Sequence, residues 1–364
     1  MIPIIIPIFL PYLGCLHRCL FCNQKVTAKE VPSPSSVQTF IEASLSSLPS
    51  DEKERGKQVA FYGGSFTAIP KNEQTPYLEA VQPFLTSGLI DSIRISTRPD
   101  ALDEENLQTL KKHGVKTVEL GVQSMIDEVL LLSERGHSSE DATSAVSRLK
   151  RLGFEVGLQL MIGLPGDTFD RFLQTLDRVI GFKPNFVRIH PTLVLKGAPL
   201  ESLWSGGRYS PLSLDEAIQW LKGGILKLEA ASIPVARIGL QSTEDLERDL
   251  LAGPYHPALH QLVDSAIFYD MAQHLLQVSP TGSQAIFVCS PREVSNLRGQ
   301  GNKNILKLKE QFKLKEILIH ESKELPRGGL AVRSQSGEVL IQRKSFQGEF
   351  PFLDRAGKDI SKVL

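Results

Sequence analysis

The chain has 364 residues, 41% of them hydrophobic and 23% charged, so it is long enough for two domains or for one domain with an extension. Its 41 Lys and Arg residues balance its 41 Asp and Glu residues, which excludes a whole-molecule field that would attract nucleic acid or membranes. No apolar run reaches the length of a membrane span.

The first apolar segment, Ile4 to Phe9, is predicted to be a buried strand. It has no basic flank and no small-residue cleavage site, and it is interrupted by Pro7, so it does not have the pattern of a signal peptide. We therefore expect a soluble, cytoplasmic protein that makes no membrane contact and whose thiols stay reduced.

Three cysteines follow this strand within one short loop. Cys15, Cys19 and Cys22 have the spacing C-x3-C-x2-C, and Phe21 immediately precedes the last of them. Thiolates this close together are typical of a metal site, and an iron–sulfur cluster is favoured. Three protein ligands would leave one iron of a 4Fe–4S cluster open, and an open iron can hold a reagent.

Other interpretations of the cysteine loop stay open. Zinc would need His17 as a fourth ligand, although zinc sites usually divide their ligands into two separated pairs. A disulfide is disfavoured because the chain has one further cysteine, Cys289, and no secretory signal. Cys289 lies in an apolar run and is expected to be a buried core thiol.

After the cysteine loop, strand-like and helical segments alternate. The predicted strands are Val59 to Tyr62, Ser92 to Ser96, Thr117 to Leu120, Val156 to Met161 and Phe186 to Ile189. The predicted helices are Ser36 to Leu48, Gln74 to Leu85, Glu104 to Lys112, Glu140 to Leu152, Phe169 to Ile180 and Leu214 to Ala231. This alternation predicts an α/β fold with parallel strands covered by helices. Six such units predict a partial, TIM-like (β/α)6 barrel with its chemistry on the loops at the C-terminal strand ends.

Glycine-rich and polar motifs end several of these strands. In the segment Phe61 to Phe66, two adjacent glycines allow the backbone to approach a ligand and expose carbonyls to it. After the next strand, Arg98 could contact a carboxylate or phosphate, and Asp100 could cap the following helix. Asp167 is predicted to cap the helix after a Gly-Leu-Pro-Gly turn.

Taken in order, these motifs resemble the radical S-adenosylmethionine (SAM) superfamily. The resemblance is to the radical SAM core of the catalytic subunit of Elongator, which modifies the wobble uridine of tRNA, and more distantly to the oxygen-independent coproporphyrinogen oxidases. It is carried by the cysteine loop and by Gly-Gly-Ser-Phe, Thr-Arg-Pro-Asp, Gly-Val-Gln-Ser, Arg-Gly-His and Gly-Leu-Pro-Gly. It covers the first part of the chain and thins after Gly239.

The resemblance implies a 4Fe–4S cluster and SAM as cofactors, and a reductant protein such as flavodoxin or ferredoxin as a partner. The cluster ligands would be Cys15, Cys19 and Cys22. The residues implied to contact SAM are Phe21 near the adenine, Gly63, Gly64 and Ser65 at the methionine amine, and Ser96, Gln123, Arg135 and Gln159. The coproporphyrinogen oxidases have Asp in place of Gln159. Reductive cleavage of SAM would then give a 5′-deoxyadenosyl radical that abstracts a hydrogen atom from the substrate.

We expect residues 1–238 to form the radical SAM core and residues 239–364 to form a small α/β extension, a candidate for substrate binding. The extension is predicted to contain a helix, two strands and a hairpin: Ala258 to Gln277, Ser283 to Val288, Glu316 to His320, Leu330 to Arg333 and Val339 to Arg343. It contains no recognisable acetyl-CoA loop. The acetyltransferase domain of Elongator's catalytic subunit is therefore not expected here.

A basic stretch lies between Pro291 and Lys315. It contains seven basic and two acidic residues, which gives a local charge of +5. The pairs Lys303/Lys307 and Lys309/Lys313 have i,i+4 spacing, so each pair is predicted to share a helix face. The stretch is either a phosphate-tracking surface for RNA or a solvated helix face.

The function expected from these features is that of a radical SAM enzyme, with tRNA modification as the leading role. One alternative is a radical SAM enzyme that acts on a tetrapyrrole or another small molecule. The other is a non-catalytic zinc or iron–sulfur binding protein. The sequence designates no catalytic side chain beyond the cofactor ligands.

Overall fold

A computed structural model describes residues 3–16, 18–52, 54–334 and 337–346. Its strands are β1 (Ile4–Leu10), β2 (Lys57–Gly63), β3 (Ser92–Thr97), β4 (Val115–Gln123), β5 (Glu155–Ile162), β6 (Phe186–Pro191), β7 (Val194–Leu195), β8 (Val235–Ile238), β9 (Leu250–Ala252), β10 (Gln284–Cys289), β11 (Glu316–Glu321), β12 (Gly329–Ser334) and β13 (Gly337–Gln342).

The helices alternate with the strands through most of the chain. They are α1 (Pro34–Ser46), α2 (Lys71–Glu79), α3 (Gln82–Thr86), α4 (Glu104–Lys112), α5 (Asp127–Leu132), α6 (Ser139–Arg151), α7 (Phe169–Phe182), α8 (Leu200–Ser205), α9 (Leu214–Ala230), α10 (Glu244–Asp249), α11 (Leu259–Val278), α12 (Val294–Arg298) and α13 (Lys303–Phe312). No helix in the described ranges is both long and apolar enough to cross a membrane.

The chain divides into two compact units. The first contains residues 1–211 and 240–253, and the second contains residues 212–239 and 254–364. The predicted division at residues 238/239 follows the family resemblance and stays a prediction.

In the first unit, β1 to β6 pair in chain order, and every pairing is parallel. Helices connect consecutive strands, so this unit is the partial α/β barrel predicted from the sequence. Along β4, Val118, Leu120 and Val122 are fully buried, while polar side chains occupy alternate positions on the other face. The apolar face is thus available to pack against helices, and the polar face lines the barrel interior.

Local signals explain where the helices of this unit begin. In α6, the Ser138 side chain accepts from the backbone of Asp141, whose carboxylate in turn accepts from the backbone of Ser138. This capping box satisfies amide groups that have no partner inside the helix. The helix predicted from Gln74 to Leu85 is in fact two helices, α2 and α3. Pro83 lies in the first turn of α3, where its missing N–H is tolerated, whereas a continuous helix would need that donor.

In the second unit, four strands form a sheet in the order β11-β10-β12-β13. β10 and β11 are parallel, and the other two pairings are antiparallel. The predicted helix, strands and hairpin of this region are present, with bounds shifted by up to two residues. Gln335 and Ser336, which were predicted to lie in the hairpin turn, are outside the described residues. The buried Cys289 on β10 is a free thiol, as predicted.

Candidate active site

The cysteine loop begins where β1 ends, at the C-terminal edge of the parallel sheet. Tyr12 (φ 59°) and Gly14 (φ 75°) both adopt left-handed conformations, which turn the chain sharply before Cys15. The amide of Cys15 donates to the Tyr12 carbonyl at 2.9 Å, and the amide of Cys22 donates to the Cys19 carbonyl at 3.1 Å. The three predicted cluster ligands are therefore held in one compact loop, and all three are free thiols.

Polar side chains that the sequence did not single out fix the loop in place. Across its ends, the amide of Gln24 donates to the Tyr12 hydroxyl at 2.8 Å. Asn23 donates through Nδ2 to the Lys196 carbonyl at 2.7 Å, and Arg18 donates through Nη2 to the Gly197 carbonyl at 2.7 Å. These partners are more than 170 positions apart in the chain, so no local pattern could reveal them.

Burial and mutual proximity both affect the thiols. Burial, and then the neighbouring Cys19, raise the pKa of Cys22 to about 11. Burial and Cys19 also raise the pKa of Cys15. Metal binding requires thiolates and releases their protons, so the free energy of cluster binding must offset the raised pKa of these thiols. Arg135 reduces that penalty, since its Nη1 donates to the Cys19 Sγ at 3.0 Å and its charge lowers the pKa of Cys15 and Cys22.

Three soft sulfur donors beside a guanidinium suit an anionic iron–sulfur cluster. Within the described ranges, which omit His17, no three His, Cys, Asp or Glu side chains are grouped to hold a single metal ion. A 4Fe–4S cluster does not need such a group, because each of its thiolates binds a different iron. The residues present therefore fit the cluster. His17, the fourth ligand in the zinc interpretation, lies outside the described residues.

The glycine-rich loop after β2 packs backbone to backbone on the cysteine loop. The amide of Gly64 donates to the Leu10 carbonyl at 2.9 Å, and the amide of Ser65 donates to the Leu13 carbonyl at 2.8 Å. A Cβ atom on Gly64 would lie 1.9 Å from the Leu13 oxygen, and one on Gly14 would lie 2.2 Å from the Ser65 oxygen. The close approach predicted for a ligand is therefore made, in this structure, by the cysteine loop itself.

The hydroxyl of Ser65 is buried inside this packing. It lies 3.0 Å from the Thr97 Oγ1 and accepts from the amide of Arg98 at 3.3 Å. Arg98 forms a two-pronged ion pair with Asp100, through Nε at 2.9 Å and Nη2 at 2.8 Å. Contact of the methionine amine with the backbone from Gly63 to Ser65 stays a prediction.

Two predicted helix caps are wrong. Helix α4 is capped by Asp103, which accepts from the amide of Asn106, whereas Asp100 pairs with Arg98. Helix α7 is capped by Thr168, whereas Asp167 accepts from the amide of Gly163 at 3.0 Å and closes the preceding turn. In both places a carboxylate lies near a helix start, and a partner outside the helix decides its role.

Gln123 and Arg135 meet above Gly121 at the end of β4. Arg135 donates through Nη2 to the Gly121 carbonyl at 2.6 Å, and a Cβ atom on Gly121 would lie 3.1 Å from the Gln123 Nε2. Gln123 itself has a φ of 67°, a strained value for a residue other than glycine. Such strain is concentrated at ligand sites and switches.

The Ser96 Oγ and the Gln123 Oε1, both buried near C-terminal strand ends, have no hydrogen-bond partner in the described part of the chain. Buried polar atoms are nearly always hydrogen-bonded, so each such exception needs a physical explanation. A ligand rich in hydroxyl, amine and carboxylate groups, as SAM is, would satisfy them. Contact of Ser96, Gln123, Arg135 and Gln159 with SAM stays a prediction, and Gln159 is half-buried between Gly121 and Arg188 in the strand register.

Phe21 anchors the cysteine loop on its apolar side. Its ring packs against a buried cluster formed by Val129, Met161 and Leu164. These residues belong to α5, β5 and the loop after β5. Contact of Phe21 with adenine stays a prediction.

A buried ionic network lies in the barrel interior, formed by residues that no sequence motif singled out. Glu119 on β4, 2% exposed, accepts at 2.9 Å from Arg94 on β3, at 2.9 Å from Arg188 on β6 and at 3.0 Å from the Tyr62 hydroxyl on β2. Side chains from β2 and β6 can reach β4 across the intervening strands because the sheet is curled. The available signal was a charged residue in the interior of each of three strands, Arg94 on β3, Glu119 on β4 and Arg188 on β6.

Replacing Glu119 with Ala is expected to destabilise the protein by about 3–5 kcal/mol, because it leaves two buried guanidinium groups without a counter-charge. Urea unfolding monitored by circular dichroism measures this. Glu104→Ala, which removes an exposed pair with Arg151, is the control and should cost less than about 1 kcal/mol. Equal losses of unfolding free energy in the two variants would show that the interior network stabilises the protein no more than an exposed ion pair does.

Comparisons with known proteins agree with this arrangement. The family model described as "Radical SAM superfamily" matches residues 9–179, and the "Radical_SAM C-terminal domain" matches residues 184–268. The tRNA uridine(34) acetyltransferase of Methanocaldococcus infernus is 38% identical over 128 residues, 34% of this chain and 24% of that protein. Elongator complex protein 3 of Mus musculus is 27% identical over 177 residues, 43% of this chain and 32% of that protein.

A solved structure shares the fold. The archaeal Methanocaldococcus infernus Elp3 with an N-terminal deletion superposes with a TM-score of 0.55 at 24% identity, over 72% of this chain and 63% of that one. The chain thus matches only about a quarter to a third of the length of these curated relatives. The two family matches, residues 9–179 and 184–268, include the cysteine loop and strands β2 to β6, and the chain belongs to the radical SAM superfamily of enzymes.

Proposed function

We propose that this chain binds a 4Fe–4S cluster through Cys15, Cys19 and Cys22 and uses it with SAM to modify tRNA. The observation that carries the cofactor proposal is the three-thiol loop with Arg135 hydrogen-bonded to Cys19. When bound, the cluster and SAM supply a 5′-deoxyadenosyl radical that can abstract a hydrogen atom from carbon. The electron is proposed to come from a reductant protein such as flavodoxin or ferredoxin.

The residues of the chain have separate tasks in this proposal. Gly64 and Gly14 let the two loops pack tightly and so fix the position of the thiols. Arg135 stabilises negative charge at Cys19. Ser96 and Gln123 offer polar atoms that have no partner of their own in the described residues, and they would orient SAM. Pre-formed contacts of this kind lower the cost of holding reactants in line.

The substrate proposal rests on relatives and on charge. The names of two relatives state that they act on tRNA uridine or belong to Elongator. In the second unit, Lys303 and Lys307 are exposed on one face of α13. The helix ends at Phe312 and Lys313 is left-handed (φ 53°), so the predicted shared face of Lys309 and Lys313 is wrong. The four lysines still lie within one short basic segment that could contact phosphates.

Neutralising Lys303, Lys307, Lys309 and Lys313 by Gln is expected to weaken tRNA binding and flatten its salt dependence. Each lysine that contacts a phosphate adds about one unit to the slope of log affinity against log salt. Filter binding at several salt concentrations measures this slope. A matched variant with Gln at Lys111, Lys112, Lys116 and Lys150, which are also exposed, should keep the wild-type slope.

The outcomes separate the alternatives. Unchanged binding in the first variant would make the basic segment a solvated surface. If the wild type shows no salt-dependent binding at all, a small-molecule substrate becomes the better proposal. Comparing modified nucleosides in total tRNA from wild-type and deletion strains tests the function directly, since loss of one nucleoside is expected.

A further inference from the structure

The two arginines of the ionic network, Arg94 and Arg188, differ in how many of their guanidinium N–H groups are hydrogen-bonded. All three nitrogens of the Arg94 guanidinium donate, with Nε and Nη2 bonded to Gln58 at 3.1 and 2.7 Å and Nη1 bonded to Glu119 at 2.9 Å. Arg188 donates through Nη1 to Glu119 at 2.9 Å, and its guanidinium also interacts with Tyr62, whose ring centroid lies 5.2 Å from Cζ. A guanidinium has five N–H groups, so these two partners leave most of its donors without an acceptor among the described residues.

The network also carries an excess positive charge. Glu119 is the carboxylate that both guanidinium groups share, and its two oxygens are already occupied by Arg94, Arg188 and Tyr62. Tyr62 cannot supply a second negative charge near neutral pH, since burial, and then Glu119, raise its pKa to about 12. A partly buried cation without a full counter-charge is costly, and such charges are normally paired.

Arg188 is placed where a substrate group would be held. Its side chain is 18% exposed, compared with 12% for Arg94 and 2% for Glu119, so it is the more accessible of the two arginines. In the strand register Arg188 lies beside Gln159, which lies beside Gly121, whose carbonyl accepts from Arg135 at the cysteine loop. The open donors are therefore inside the barrel, close to the strand ends where SAM is proposed to bind.

We propose that Arg188 binds an oxyanion of the substrate, a carboxylate or a phosphate, inside the barrel. A guanidinium presents paired N–H groups that match two oxygens of either group, and such pairs are strong and orientation-specific. Stacking on Tyr62 and the bond to Glu119 hold the fork in place before the substrate arrives. The proposal deepens the proposed function, because it states which chemical group the barrel selects.

The test needs no tRNA, so its failure is distinguishable from failure of the tRNA proposal. The cluster-loaded protein is melted with inorganic phosphate or malonate, against sodium chloride of equal ionic strength. An anion that binds only the folded state raises Tm, by about 3 °C at ten times its Kd. We expect that rise in the wild type and in Arg151→Gln, whose arginine is 70% exposed, and less than about 1 °C in Arg188→Gln. The anion with the larger effect identifies the group as phosphate or carboxylate.

Two further measurements keep the result unambiguous. If Arg188→Gln does not fold, the double variant Glu119→Gln/Arg188→Gln removes both charges together and is measured in its place. Binding of S-adenosylhomocysteine should change less than about twofold in either variant, because the proposed oxyanion belongs to the substrate. Equal stabilisation of wild type and variant by the anions overturns the proposal. A loss of about tenfold in S-adenosylhomocysteine affinity also overturns it, since Arg188 would then bind the methionine carboxylate.

Discussion

Replacing Cys15, Cys19 and Cys22 together with Ala is expected to abolish iron binding. Wild-type protein reconstituted without oxygen should be brown and contain about four irons per chain, as one cubane cluster requires. The triple variant has no thiolate left in the loop, so iron and sulfide analysis and the charge-transfer absorption should both fall to background. Loss of all three ligands removes the cluster outright.

Cys289→Ala is the matched control for the cysteine variants. Cys289 is buried on β10 in the second unit, and burial raises its pKa to about 11, so it is an inert core thiol. This variant should take up as much iron as the wild type. Stoichiometric zinc without iron uptake in the wild type would instead support the non-catalytic zinc alternative.

Replacing Gly64 with Val is expected to eliminate SAM cleavage almost completely. A Cβ atom at this position would lie 1.9 Å from the Leu13 oxygen and 2.7 Å from the Leu13 nitrogen. Both are backbone atoms of the turn that leads into Cys15, so no side-chain rotation relieves the clash. The cysteine loop must move, and a displacement of about 1 Å at a reactive centre can cost about a hundredfold in rate.

The measurement is the release of 5′-deoxyadenosine and methionine by the reduced, cluster-loaded protein without substrate. The wild type should cleave SAM slowly, and Gly64→Val should show at most about one hundredth of that rate together with reduced iron retention. Gly181→Val is the control, since Gly181 is exposed in α7 and a Cβ atom there would meet no heavy atom within 4 Å apart from its own stretch of helix backbone. Wild-type rates in Gly64→Val would show that the two loops do not need to pack closely.

The cysteine loop and Gly64 differ in how much of their role can be read from the sequence. The cysteine spacing is a local pattern, so the three thiols lie in one loop independently of the tertiary structure. The importance of Gly64 was also visible in the sequence, but the reason for it was not. The sequence suggested room for a ligand, whereas the structure shows room for the backbone of Leu13, about fifty positions earlier.

The sequence by itself determined the order of strands and helices in the barrel, because period-2 and period-3.6 apolar patterns are local. It also placed the cysteine loop and the glycine-rich loop at the same edge, since parallel strands end on one side. The sequence did not determine which residues cap the helices. Asp100 and Asp167 both have side chains that can cap a helix, but Asp100 pairs with Arg98 and Asp167 accepts from the amide of Gly163.

Only the tertiary structure decided which side chains meet inside the barrel. Glu119 contacts residues on three other strands, and Arg135 reaches Cys19 across 116 positions of the chain. Such contacts depend on strand register and on the curl of the sheet, and a shift of one residue would turn each side chain to the opposite face. No pattern within a single strand specifies that geometry, which is why the ionic network and the open donors of Arg188 appear only in the folded chain.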